Sequence, residues 1–189
     1  MSSLGVSTIE NSATIRALGG LGIELDSGFG ALRLTNSGSI EGSANFTFFV
    51  TASNSADSVT NSGSSSGGVA LCGADCCDVT SAAGAPITAL FLAVHETGND
   101  AATRDAINGF VQGDDVIDLS AIDAVAGGVG NEQFSFLSTG AFTNTAGQLR
   151  YALAGANLVI SGDVNGDGIS DFQIQVNILG SLTAADFLL

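Results

Sequence analysis

Residues 158–176 read LVISGDVNGDGISDFQIQV, two apolar runs on either side of a turn rich in glycine and acid. The first run, 158–160, is apolar throughout. The second, 172–176, alternates apolar and polar residues with the period of two that is typical of a half-buried strand. Asn165-Gly166 and Asp167-Gly168 are both dipeptides that form hairpin turns, because glycine adopts positive φ without steric cost. The stretch therefore predicts a β-hairpin.

The turn of this hairpin also carries a candidate calcium site. Asp163, Asn165 and Asp167 recur at every second residue, and Asp171 follows them. Short oxygen-bearing side chains at this spacing can converge on a hard cation such as Ca²⁺. The match to an EF-hand loop is partial, because Ile174 stands at position twelve, where that loop has a bidentate glutamate. The hairpin and the calcium site are compatible interpretations. The sequence leaves open whether this loop alone supplies all the ligands of a calcium ion.

The charge balance of the chain is strongly acidic. The 189 residues include 19 acidic side chains against 4 arginines and no lysine, which gives a formal net charge of −15. Such a surface repels nucleic acid and anionic membranes, so both are poor partners. It suits divalent cations, which relieve the repulsion between carboxylates. With 45% hydrophobic residues the chain is too apolar to be simply disordered.

Neither a membrane-spanning helix nor a Sec-type signal peptide is expected from the sequence. No apolar run approaches the roughly 18 residues of a membrane-spanning helix. The first residues have no basic region followed by an apolar one, so a Sec-type signal peptide is not expected. Cys72, Cys76 and Cys77 form an odd cluster without the spacing of a zinc site or a complete disulfide framework. We interpret them as small buried apolar side chains rather than redox groups.

Roughly the first 90 residues repeat with a fixed period. Asn11, Asn36 and Asn61 are each 25 residues apart (36 − 11 and 61 − 36), and short runs with β propensity stand between them. Apolar residues keep the same spacing in three pairs: Ile23 and Phe48, Leu25 and Val50, Leu34 and Val59. This pattern predicts a β-solenoid, in which each coil buries its inward residues against the next and a corner asparagine forms a ladder. The competing interpretation is a low-complexity linker, and the shared register favours the solenoid.

Beyond about residue 100 the character changes to short strands and turns without this period. Asp115 and Asp118 bracket the apolar pair Val116-Ile117, and one helical turn is predicted near residues 120–124. The whole chain is therefore predicted to be all-β. We expect N-terminal β-solenoid or β-roll-like repeats over residues 1–99, followed by a second unit of short strands joined by turns over residues 100–189.

Several motifs in the second half carry a family resemblance. They are GDDVIDLSAIDA at 113–124, FSF at 134–136, AGQLRY at 146–151, GDVNGDG at 162–168 with DFQI at 171–174, and LTAADFLL at 182–189. With these motifs in this order, residues 100–189 resemble the C-terminal domain of serralysin-type secreted metalloproteases, the module that follows the RTX calcium β-roll. The upstream repeats are more loosely similar to solenoid repeats of RTX and adhesin-like proteins.

The resemblance implies a sandwich-like module packed on a parallel β-roll, bound Ca²⁺, and export from the cell by a type I ABC secretion apparatus. Export signals of this kind are C-terminal and uncleaved, and the ending Asp186-Phe187-Leu188-Leu189 matches an acidic residue followed by apolar ones. In the same families, carboxylates near the last roll turn help hold calcium. Asp105, Asp115 and Asp118 are the positions here that correspond.

The chain also departs from this family pattern. It contains no catalytic domain and no tandem Gly-Gly-x-Gly-x-Asp nonapeptides, and Gly109-Phe110 stands where the family has Asp-Phe. The leading hypothesis is therefore a non-catalytic, calcium-binding region of a secreted, extracellular RTX-type protein. The alternative is an adhesin-like surface solenoid that binds a host or matrix partner. An enzyme is a third possibility without a Ser-His-Asp set to support it.

Overall fold

The computed structural model describes residues 7–16, 23–26, 32–41, 46–51, 57–62, 64–65, 68–71, 77–81, 88–91 and 93–189. Within these residues the chain is nearly all β, which confirms the predicted class, and the described part contains no α-helix. It has two three-residue 3-10 turns, at Val94–Glu96 and Ala184–Asp186. The helical turn predicted near residues 120–124 is wrong: a turn closes there through a bond from the Ile122 amide to the Leu119 carbonyl (2.9 Å).

The strands are short and are numbered in chain order. They are β1 Ser7–Asn11, β2 Thr14–Arg16, β3 Ile23–Asp26, β4 Leu32–Asn36, β5 Ser39–Glu41, β6 Phe46–Thr51, β7 Asp57–Asn61, β8 Ser64–Ser65, β9 Gly68–Leu71, β10 Cys77–Ser81, β11 Thr88–Leu90, β12 Asp105–Asn108, β13 Val116–Asp118, β14 Ser135–Phe136, β15 Gln148–Ala154, β16 Asn157–Asp163, β17 Phe172–Asn177 and β18 Phe187–Leu188.

Three sheets form from these strands. The nine-stranded sheet has the order β1-β4-β7-β10-β12-β17-β16-β15-β14, the six-stranded sheet β18-β13-β11-β9-β6-β3, and the three-stranded sheet β2-β5-β8. Successive strands of the first half pair in parallel, one from each repeat. The three residue pairs predicted from the 25-residue spacing are direct register partners: Ile23 and Phe48, Leu25 and Val50, Leu34 and Val59.

One column of apolar side chains crosses the nine-stranded sheet, and we call it the inner column. It runs through paired residues on β1, β4, β7, β10, β12, β17 and β16: Ile9, Leu34, Val59, Val79, Ile107, Val176 and Leu158. From Leu34 to Leu158 every member is at most 1% exposed. Since the column passes from β10 to β12 and on to β17, the first and second halves of the chain share one sheet and one core.

The predicted hairpin is confirmed. Strands β16 and β17 pair antiparallel, with Ile160 opposite Ile174 and Gly162 opposite Phe172. A Cβ atom at Gly162 would lie 2.2 Å from the Phe172 ring, so this position requires glycine. The same ring meets Phe134 edge-on at a centroid distance of 5.7 Å. The hairpin is therefore fixed to the core by its closing aromatic residue.

The repeated asparagines form a ladder. Nδ2 of Asn11 donates to Oδ1 of Asn36 at 2.8 Å, and Nδ2 of Asn36 donates to Oδ1 of Asn61 at 2.7 Å. Oδ1 of Asn36 also accepts the Gly38 amide at 3.2 Å, so this residue is tied to its own turn as well as to the matching asparagines of the neighbouring repeats. Asn36 and Asn61 are fully buried. At Asn36, where both amide atoms have partners, these bonds stabilise the pairing of the repeats, because a buried polar group without a partner costs free energy.

The three cysteines cannot be placed. Cys72, Cys76 and the side chain of Cys77 lie outside the described residues, so their assignment as buried apolar groups stays a prediction.

Substitution of Asn36 by alanine should lower the free energy of unfolding by about 1–3 kcal/mol, because it breaks both rungs of the ladder and leaves buried groups of its neighbours unpaired. The control is Thr35→Ala, a substitution of an exposed residue on the same strand. It should change the free energy of unfolding by less than about 0.5 kcal/mol. Denaturant unfolding followed by circular dichroism measures both. Equal stability of the two variants would show that the ladder does not stabilise the stack.

Candidate metal centre

The acidic loop, residues 163–171, joins β16 to β17, two neighbouring interior strands of the nine-stranded sheet. Its first carboxylate, Asp163, is fully buried. Asn165 and Asp167 are exposed, and Asp171 is half-buried. The four side chains singled out from the sequence therefore occupy one short loop, with a buried residue at its start and exposed ones at its tip.

Asp163 holds the loop through its two carboxylate oxygens. Oδ1 accepts the Gly166 amide at 2.6 Å, and Oδ2 accepts the Gly168 amide at 2.9 Å. Both glycines have positive φ, +80° and +82°, and this turns their amides toward the start of the loop. Charge-assisted bonds of this kind are short and strong, which explains why a carboxylate is tolerated in a fully buried position.

The other three side chains close the loop from its far end. Oδ2 of Asp171 accepts the amides of Val164 (2.7 Å) and Asn165 (3.2 Å), and its Oδ1 accepts Nδ2 of Asn165 at 2.8 Å. Oδ1 of Asn165 accepts the Asp167 amide at 2.8 Å, and Oδ1 of Asp167 accepts the Ile169 amide at 2.8 Å. Each side chain thus caps a backbone amide of the same loop, and the loop is ordered by its own acids.

Two neighbouring turns support the acidic loop from outside. The Gly147 amide donates to the Asp163 carbonyl at 2.8 Å, and the Ala126 amide donates to the Val164 carbonyl at 2.8 Å. A Cβ atom at Gly166 would lie 2.8 Å from the backbone nitrogen of Ala146. The loop therefore packs tightly against residues 144–147, and this position has no room for a side chain.

The donor chemistry of the loop fits a hard cation, but its grouping is incomplete. Carboxylate and amide oxygens are the ligands that Ca²⁺ takes, and each oxygen that accepts one amide keeps a second lone pair. Among the described residues, however, no three acidic, histidine or cysteine side chains are grouped closely enough to hold a metal ion by themselves. Any ion at this loop would therefore need Asn165, backbone carbonyls or water as further ligands.

The weaker candidate ligands lie on other elements. Asp105 is buried on β12, and its amide donates to Oγ1 of Thr97 at 2.9 Å. Asp115 is also buried, and its Oδ2 accepts the Val111 amide at 2.8 Å, which closes the turn before β13. Asp118 lies on β13, and its Oδ1 accepts the amide (3.0 Å) and hydroxyl (2.6 Å) of Ser120. Unlike the loop acids, Asp115 and Asp118 are therefore held by separate local contacts of their carboxylates, and Asp105 lies on a third element.

A second acidic turn, residues 123–132, was not predicted as a site. Oδ1 of Asp123 accepts the amides of Val125 (3.1 Å) and Glu132 (3.4 Å). The Val125 amide, and next the Glu132 side chain, hold the pKa of the Asp123 carboxyl below its usual range. The contact depends on the chain reversing between the two acids, and no spacing motif in the sequence indicates it.

The C-terminal residues are part of the folded core. The buried Asp186 carboxylate accepts the amide (2.7 Å) and hydroxyl (3.0 Å) of Thr183 and Nε2 of Gln112 (3.1 Å). Phe187 pairs with Ile117 of β13, and its ring lies 5.0 Å from that of Phe136. Sequence reasoning assigned Asp186–Leu189 a role in export and missed this packing. The spacing of Thr183 and Asp186, a capping-box pattern, was the available signal.

Gly166→Ala should lower the free energy of unfolding more than Gly155→Ala does. The difference between the two variants should be at least about 1 kcal/mol. Both glycines have positive φ and so share the cost of a left-handed alanine, but a Cβ at Gly155 meets nothing within 4 Å. At Gly166 the added atom meets backbone, which must move. Thermal unfolding of both variants tests this, and similar losses would show that the loop is not tightly packed.

A search of curated proteins found no match to the chain. No described helix is both long and apolar enough to span a membrane. The sequence matches the family described as peptidase M10 serralysin C terminal over residues 11–189, which extends the resemblance seen in residues 100–189 back through the repeats. This match covers more than half of the sequence, and the chain belongs to the serralysin C-terminal family.

Proposed function

We propose that the chain is a non-catalytic, calcium-binding C-terminal region of a secreted RTX-type protein, where it supports calcium-coupled folding and type I export. Family membership supports the secreted, RTX-type context. The observation that carries the calcium proposal is the acidic loop, where three aspartates and one asparagine lie within nine residues and Asp163 is buried. The proposal assigns no catalytic residue, and it excludes nucleic acid as a partner because the net charge is −15.

The architecture that we propose follows the strand pairing. The parallel ladders of residues 1–99 are the coils of a β-solenoid, and residues 100–189 form a sandwich-like module that closes it. The inner column and the asparagine ladder support the first statement, because both repeat once per coil. The antiparallel strands β15, β16 and β17 support the second.

Calcium would stabilise this region by neutralising charge. With 19 acidic side chains against 4 arginines, the unbound chain is held loose by repulsion between carboxylates. A bound ion supplies positive charge, and its binding free energy then adds to the free energy of folding. Asp163, Asn165, Asp167 and Asp171 are the proposed ligands of the main site. Asp115 and Asp118, together with Asp105, are proposed as a weaker second site.

Calorimetric titration with CaCl2 tests the main site. The wild-type chain should bind with a dissociation constant below about 1 mM, the weak limit for extracellular modules. Asp167→Asn should weaken binding about tenfold or more, because it removes a charge from the exposed tip and keeps an oxygen to accept the Ile169 amide. Asp114→Asn, exposed and outside the loop, is the matched control. Absence of binding below about 1 mM, or equal affinity of both variants, would refute the site.

The C-terminal residues Asp186–Leu189 are proposed as the signal read by the type I apparatus. Deletion of these four residues should abolish export from cells that carry the transporter. Because the same residues pack against β13, the deletion also disturbs folding, and a second variant must separate the two effects. Gln112→Ala removes a contact to Asp186 and leaves the tail sequence intact, so it should still be exported. Unchanged secretion of the deletion, or equal loss with Gln112→Ala, would contradict a signal role for the tail.

The alternative function, an adhesin-like solenoid, is supported by polar side chains on the outward side of the parallel strands. Arg33 and Thr35 of β4 are exposed beside the half-buried Ser58 and Thr60 of β7, their register partners. These side chains form a polar surface that a host or matrix partner could contact. Export and calcium binding would then deliver and stabilise that surface.

A further inference from the structure

The acidic loop contains an asparagine followed by a glycine, Asn165-Gly166, and the chain has one other such pair, Asn108-Gly109. Asparagine is thermolabile, and it reacts most readily before glycine because no Cβ atom shields the backbone nitrogen that follows it. That nitrogen attacks Cγ of the asparagine and gives up its hydrogen, and the side-chain nitrogen leaves as ammonia. Water then opens the resulting succinimide ring at one of its two carbonyls. The products are aspartate and isoaspartate, so each conversion replaces a neutral amide by a carboxylate.

The structure holds the side-chain amide of Asn165 at both of its polar atoms. Oδ1 accepts the Asp167 amide at 2.8 Å, and Nδ2 donates to Oδ1 of Asp171 at 2.8 Å. These two bonds fix the plane of the amide. A nitrogen that attacks Cγ must approach from above or below this plane, and Nδ2 must leave its bond to Asp171. Ring formation therefore has to break a contact that closes the loop.

The attacking nitrogen, that of Gly166, is held as well. Its N–H donates to Oδ1 of the fully buried Asp163 at 2.6 Å, and this is the hydrogen that has to leave when the nitrogen attacks. Without it the nitrogen would carry negative charge beside a buried carboxylate, which is strongly unfavourable. The backbone also packs closely here, since a Cβ atom at Gly166 would lie 2.8 Å from the backbone nitrogen of Ala146. Both reacting groups are therefore fixed in the folded loop.

We propose that Asn165 is a deamidation site that the folded acidic loop keeps closed. Reaction then occurs only in molecules whose loop has opened, and its rate is the rate in the unfolded chain multiplied by the open fraction. Conversion to aspartate adds a negative charge to a loop that already carries Asp163, Asp167 and Asp171. Conversion to isoaspartate lengthens the main chain before Gly166 and displaces the amides that Asp163 accepts. A chain that stays unfolded thus accumulates damage in this loop.

The second asparagine-glycine pair supplies an internal comparison. Asn108 is half-buried at the end of β12, outside the acidic loop. Its Oδ1 accepts Nδ2 of Asn177, and its own Nδ2 lies 3.5 Å from both the Val79 carbonyl and Oγ1 of Thr80. None of these contacts involves a residue of the acidic loop. Opening of the loop alone therefore exposes Asn165, whereas unfolding of the whole chain exposes both asparagines.

Peptide mapping by mass spectrometry, after incubation at mildly alkaline pH, measures conversion at both asparagines. In the native wild-type chain, Asn165 should convert at least about tenfold more slowly than in the same chain unfolded by urea, because only the open fraction reacts. Circular dichroism confirms the folded state of the native sample. Equal rates at Asn165 in the native and the unfolded chain would overturn the proposal.

Asp171→Ala tests whether the loop contacts supply the protection, because it removes the acceptor of the Asn165 side chain and of two loop amides. In the folded variant, conversion at Asn165 should rise several-fold while Asn108 keeps its wild-type rate. If the alanine variant does not fold, Asp171→Asn, which retains one acceptor oxygen, takes its place. The control is Asp100→Ala, which removes an aspartate that accepts amides of a different turn and should change neither rate.

Two results with the folded Asp171 variant would overturn the proposal. An unchanged rate at Asn165 would show that the loop contacts do not protect it. An equal rise at Asn108 would show that the protection belongs to the fold as a whole and not to the acidic loop.

Discussion

Parallel backbone pairing at a fixed register is the constraint on which the rest of this structure depends. Because each strand of the nine-stranded sheet meets its neighbour at a defined residue, one apolar column forms from Ile9 to Leu158. A shift by one residue would turn every member of that column outward. The buried asparagines fix the same register at the corner, since Asn36 can bond to both neighbours only when the coils are aligned. Core packing and corner hydrogen bonds therefore select one alignment together.

The acidic loop is stabilised differently from the repeated strands. Its order comes from carboxylates that accept backbone amides, and apolar burial contributes through Val164 and the closing Phe172. A cation that binds such a loop competes with the backbone amides for the same oxygen atoms. The side chains that order the loop are thus the ones proposed to bind calcium. An ion would have to be accommodated by lone pairs that remain after the amides are satisfied.

Much of the fold was predictable because its signals are local or periodic. The spacing of Asn11, Asn36 and Asn61 gave the coil alignment, and alternation after the acidic loop gave the hairpin. The contacts that were missed join residues 74 and nine positions apart in the sequence. Gln112 reaches Asp186 and Asp123 approaches Glu132 only because the chain folds back, and no residue pattern marks either meeting. The candidate site was found from the spacing of its oxygen-bearing side chains, but the sequence did not predict which backbone amide each oxygen accepts.

The inner column also shows which parts of this chain can vary in length. Its successive members Leu34, Val59, Val79 and Ile107 are separated by 25, 20 and 28 residues, yet each pairs directly with the next. Register is therefore set where strands touch, and the length of the connection between them is not constrained in the same way. Insertions and deletions can accumulate in the connections of such a chain without moving a core residue. Relatives should then be aligned by their inward-facing positions, since a fixed period would misplace the coils after Asn61.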